Sequence, residues 1–147
     1  MAKCDIKFPS GFLEKVNSLE NKLPDITGKA LDEVAEIVFL ELKDRLYSVI
    51  GTNPSIYRKG KARSTGELVN SLGIAPVQQG RDGNYNVKVG FSEHRKDGNI
   101  NAKIANILEY GSHNQPARPF LKPTIKATSK KGKEIVMRIF EEEIAKL

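Results

Sequence analysis

Residues 104–123 read IANILEYGSHNQPARPFLKP. Ile104, Ile107 and Leu108 recur at helical spacing, and Asn101 is placed to cap the helix that carries them. Gly111 follows where a helix closes on a residue tolerant of the left-handed conformation. The next residues, SHNQPAR, are polar and turn-forming. Pro119 then suits the first turn of a new helix, where no amide donor is required. Leu108, Glu109, Tyr110, Gly111, Arg118, Pro119, Phe120 and Leu121 therefore spell a corner between two helices. Phe120 and Leu121 are expected to anchor the second helix in a core, and Tyr110 to pack across the loop.

Working downstream, Ile125, Ile135, Val136, Ile139, Phe140, Ile144 and Leu147 suit one face of a long helix reaching the C-terminus. Gly132 weakens it near the middle by about 1 kcal/mol. Working upstream, Tyr85, Val87, Val89 and Phe91 alternate with Asn86, Lys88 and Gly90, the period of a strand with one buried face. Leu72, Ile74 and Val77 form the opposing arm, where Pro76 argues for an edge or a bulge. QQGRDGN between the arms suits a tight reversal. Two strands alone are marginal, so a helix or a partner chain must cover them.

The strongest helical pattern lies earlier. Leu31, Val34, Ala35, Val38, Leu42, Leu46 and Val49 form one stripe over residues 26–50, with Asp25 or Thr27 as cap and Gly51 as terminator. A separate first helix is expected over residues 1–25, capped by Ser10, carrying Phe12, Leu13, Val16, Leu19 and Leu23, and stopped by Pro24. Residues 51–65, GTNPSIYRKGKARST, read as a mobile basic loop with Arg58, Lys59, Lys61 and Arg63 crowded together. TGELVNSL suits a helical turn capped by Thr65, and residues 92–100 suit a polar loop. The fold class is α+β: a small antiparallel sheet or hairpin packed against a long central helix and a long C-terminal helix, in a single domain spanning residues 1–147.

The 147 residues include 39% hydrophobic and 29% charged positions and no Trp. This is enough chain to bury a core without staples. The one cysteine, Cys4, cannot form an internal disulfide and has no neighbouring His to activate it. No apolar run approaches the ~20 residues that span a bilayer. The start, MAKCDIKFPSGF, lacks an apolar signal core, so a cytoplasmic origin is expected. The net charge of +6 is uneven. Residues 1–50 hold 7 basic and 9 acidic groups, whereas residues 51–147 hold 17 and 9. That asymmetry suggests an anionic neighbour such as nucleic acid.

No catalytic constellation is legible. His94 and His113 have no metal-spaced partners. GKARST superficially suggests a phosphate loop, but Ser55 stands where its first Gly belongs and Ala62 follows Lys61. Glu141, Glu142 and Glu143 point in different directions from one helix and read as a solvated face. Ser71, Ser112 and Ser129 lack a nucleophile elbow. No cofactor or metal is expected. Arg58, Lys59, Lys61 and Arg63 are placed to touch a partner or DNA phosphates, with only Tyr57 beside them to stack. Lys126, Lys130, Lys131 and Lys133 form a second basic cluster.

The segment ILEYGSHNQPARPFLKPTIKA resembles the tail-completion, or head–tail joining, family of tailed bacteriophages, the HK-ninety-seven gp-ten-like family. TGELVNSLGI resembles the same family's Thr-Gly-x-Leu-x-x-Ser segment before its hairpin, and the likeness runs from about residue 26 onward. The resemblance implies a non-enzymatic structural protein of a phage or prophage, assembled in the bacterial cytoplasm and carried in the virion. It would work at the neck as a homo-oligomeric, hexameric ring between connector and tail proteins, with DNA passing and no membrane partner. A small basic nucleic-acid-binding protein and a tail terminator elsewhere in the virion are the alternatives.

Overall fold

The computed structural model describes residues 9–51, 57–58, 61–62, 66–92, 98 and 100–147. Its frame is two long helices. α1 spans Ser10–Gly51 and α4 spans Leu121–Ala145. They run antiparallel, because Lys29 meets Glu143, Val34 faces Gly132 and the Val49 carbonyl meets Arg118. At ~1.5 Å per residue, the 42 residues of α1 reach about 63 Å.

One unbroken α1 replaces the two helices expected on either side of Pro24. Proline removes one helical donor and crowds the carbonyl four residues back, at a cost of about 3 kcal/mol. Packing on both sides overrides that cost. Leu19, before the proline, and Ile26 and Ala30, after it, join one apolar cluster with Ile135 and Ile139 of α4. Pro24 itself is exposed. Asp25 and Thr27 are therefore interior helical residues and not caps, and Gly51, expected just beyond the helix in a left-handed conformation, is its last described helical residue.

The larger core surrounds the C-terminal half of α1. Leu42 and Leu46 pack with Leu68, Val69, Leu72, Ala105, Leu108 and Phe120. Leu68 and Val69 come from a single helical turn, α2 (Glu67–Asn70). Gly66 holds its cap position at φ 76°, where Thr65 was expected; Thr65 lies outside the described residues. The basic segment also holds more order than a loop. β1 (Tyr57–Arg58) pairs antiparallel with β2 (Lys61–Ala62). The mobility expected for residues 51–65 falls mainly on positions outside the described residues.

The main hairpin forms as the alternation predicts. β3 (Leu72–Ile74) pairs with β6 (Val89–Phe91), and β4 (Gln78–Gln79) pairs with β5 (Tyr85–Asn86). Leu72 faces Phe91 and Ile74 faces Val89, but Gln78 faces Asn86. The register therefore slips by one residue across Ala75–Val77, which is the bulge that Pro76 suggested. Tyr85, Val87, Val89 and Phe91 are half-buried, while Asn86, Lys88 and Gly90 are exposed. α1 covers the inner face and so supplies the packing the two arms need.

Along α4 the buried residues are Thr124, Thr128, Gly132, Ile135 and Ile139. Each threonine hydroxyl donates to the carbonyl four residues back, at 2.7 and 2.8 Å, so neither is left unsatisfied. A Cβ on Gly132 would stand 3.3 Å from a Val34 methyl. The glycine that weakens the helix thus lets α4 approach α1 closely. Ile125 and Ile144, expected on this face, are 64% and 48% exposed.

Candidate functional site

The corner is built from α3 (Asn101–Tyr110), the loop at 111–120 and the start of α4. Asn101 opens α3 from inside the helix and is not its cap, which is Ile100. Its buried amide instead donates to the Ser92 carbonyl at 2.8 Å and ties α3 to the end of the hairpin. Gly111 closes α3 with φ 80°, and its amide donates to the Ile107 carbonyl. A Cβ there would lie 2.8 Å from the Ala117 nitrogen, so both conformation and space require glycine. Ser112 and Gln115 then bridge to each other, which brings the chain back toward α4.

Glu109 is the centre of this corner. Its side chain is buried, and its carboxylate accepts the backbone amides of Phe120 and Leu121 at 2.7 and 2.8 Å and of Lys122 at 3.1 Å. Position 123 is proline and has no donor, and the Thr124 amide already bonds the Phe120 carbonyl. One carboxylate from another helix therefore satisfies every free amide at the α4 N-terminus. It also places negative charge at the positive end of the helix dipole. Burial pushes the Glu109 pKa up, but the three amides and the Lys122 charge outweigh it and hold the group below its ordinary value.

Arg118 makes the complementary contact at the other helix. Its Nη1 donates to the Val49 carbonyl at 3.0 Å, near the C-terminal end of α1. A cation there suits the negative end of that dipole. The Arg118 amide donates to the Leu108 carbonyl at 2.7 Å, while its buried Nε has no hydrogen-bond partner among the described residues. Phe120 is fully buried and meets Phe91 edge-on, with ring centroids 6.3 Å apart. The corner thus locks α3, α4, the hairpin and the end of α1 together.

The eight corner residues are brought together, with two changes of role. Pro119 precedes α4 instead of standing in its first turn, because Phe120 holds the cap position. Tyr110 is 66% exposed and does not pack across the loop; Lys122 stands over its ring, 5.5 Å from the centroid. Arg58 and Lys61 are cross-strand partners in the small hairpin. Lys59, Arg63, His94 and Cys4 lie outside the described residues.

Chemically, Glu109 is not a poised acid or base: the backbone amides of Phe120, Leu121 and Lys122 occupy it. His113 is exposed in the turn after α3. Among the described residues, no group of three His, Cys, Asp or Glu is arranged to hold a metal, and no helix is long and apolar enough to cross a membrane. The run Glu141–Glu143 is more than a solvated face. Glu143 bonds Lys29 at 2.9 Å and Lys146 at 2.8 Å, and Glu142 bonds Arg138. These partners hold the Glu143 carboxyl down at about 2.

Among the described residues, large apolar side chains are exposed at the N-terminal end of α1. Phe12, Leu13, Val16 and Leu23 are 41–55% exposed. With Leu19 they continue the stripe that Ile26 and Ala30 bury against α4. No family model, no curated protein and no solved structure matches the chain.

Proposed function

We propose that this chain is a non-enzymatic structural protein of a tailed bacteriophage or prophage. In this reading it completes the tail and joins it to the head, as a homo-oligomeric, hexameric ring between connector and tail proteins. It assembles in the bacterial cytoplasm and is carried in the virion. The family reading comes from LEYGSHNQPARPFLKP and the upstream Thr-Gly-x-Leu-x-x-Ser segment.

The observation that supports an assembly role is the exposed apolar stripe of Leu13, Val16 and Leu23. Clustered apolar surface of this kind marks contact with another protein. A ring needs a head-to-tail interface that closes on itself, and a projecting helix with an apolar face gives one side of such a contact. Deleting the gene from the phage or prophage tests the reading. Separate heads and tails are expected; normal numbers of joined, infectious particles would refute it.

A further inference from the structure

One face of α4 carries a row of lysines, of which, among the described residues, only Lys122 lies near a carboxylate, that of Glu109. Between Glu109 and Glu134 the sequence holds Arg118 and five lysines but no Asp or Glu. Four of the lysines, Lys122, Lys126, Lys130 and Lys133, line one shallow open groove with Ile125 and Ser129. At ~100° and ~1.5 Å per residue, the four fall within about 80° of arc and span about 16 Å. Lys131 stands off this row. All four lysines are exposed.

Lys126, Lys130 and Lys133 have no carboxylate partner among the described residues; the ion pairs of α4 begin at Arg138. Like charges spaced four apart on a helix repel. The row therefore costs stability in the isolated chain, and an anionic partner relieves that cost.

We propose that this face of α4 is a docking strip for the phosphate backbone of double-stranded nucleic acid. One strand presents a phosphate about every 3.4 Å of helix axis while it winds round the duplex, so a row of this span meets several of them. The face has no Arg, Asn or Gln to read base edges, so the contact is independent of sequence. Ile125 is its only large apolar side chain, which argues against a lipid surface. The site is distinct from the basic hairpin at 57–62, and it stands whether or not the chain builds a ring.

The test titrates the full chain with a 30-base-pair duplex of arbitrary sequence at several salt concentrations. Four phosphate contacts give a slope of log affinity against log salt near −3.6. The K126Q/K130Q/K133Q variant, whose positions are all exposed, should fold normally by circular dichroism and shift the slope by about +2.7. Neutralising Arg58, Lys59 and Lys61 should leave most of the slope in place. Absence of duplex binding at 50 mM salt overturns the proposal. So does a lysine-row variant with an unchanged slope. Equal or tighter binding of polyglutamate than of duplex assigns the face to an acidic protein and also overturns it.

Discussion

Replacing Glu109 with Ala removes the only acceptor that the described residues give the Phe120, Leu121 and Lys122 amides. Phe120 is fully buried, so water cannot reach its amide. An orphaned buried donor costs about 1–3 kcal/mol. Losing a helix cap costs about 1 kcal/mol more. The lost charge at the helix N-terminus adds about 0.3–1 kcal/mol. The total is about 3 kcal/mol, which at this chain length lowers Tm by roughly 6–12 °C. Glu109→Gln keeps an acceptor but loses the charge and presents its NH2 to amide donors, so about half the loss is expected. Urea and thermal unfolding followed by circular dichroism measure both variants.

The same residue has a pH signature. Its folded pKa is held below the unfolded value. Its contribution is therefore present above the ordinary Glu pKa of about 4.3 and is lost as pH falls through the folded value. The stability gap between wild type and Glu109→Gln should be constant near neutrality and narrow below about pH 4. An Ala variant within about 0.5 kcal/mol of wild type, the scatter of ordinary surface changes, would refute the capping argument. A gap that widens in acid would do the same.

Other perturbations probe other parts of the frame. Gly111→Ala meets the Ala117 nitrogen and a φ of 80°, so it should destabilise by at least about 2 kcal/mol in the same urea experiment. Pro24→Ala restores a donor to an exposed helical site and should raise helix content and stability, by up to about 3 kcal/mol; unchanged ellipticity at 222 nm would contradict the continuous α1. Glu143, held at about 2, should stay ionised in an NMR pH titration until well below its unfolded value, and Lys29→Ala should raise that midpoint. The stability linked to Glu143 is present above the ordinary Glu range and is lost as pH falls toward 2.

What the sequence revealed follows from how local each cause is. The stripe through Leu42 and Leu46, the alternation from Tyr85 to Phe91, the bulge at Pro76 and the stop at Gly111 are all set by near neighbours. Pro24 misled because its local cost is outweighed by contacts between residues 19–30 and 135–139, more than 100 positions away. The motif includes Glu109, but nothing local to it signals its capping role. Its partners lie 11–13 residues on. A helix start at Arg-Pro-Phe-Leu with no Ser, Thr, Asp or Asn cap was the available hint. Thr124, Thr128 and Gly132 escaped for another reason: small and hydroxyl-bearing residues do not register as apolar periodicity, yet they allow close helix packing. The stripe through Leu13, Val16 and Leu23 reads like a core in sequence, yet these side chains are exposed where α1 runs beyond the end of α4.

The neck assignment is most directly tested by imaging phage particles in which this chain carries a C-terminal label that electron microscopy resolves. Label in a six-fold ring where the tail meets the head is the expected result. Label along the tail tube or at the distal tip, or its absence from finished particles, would contradict the assignment.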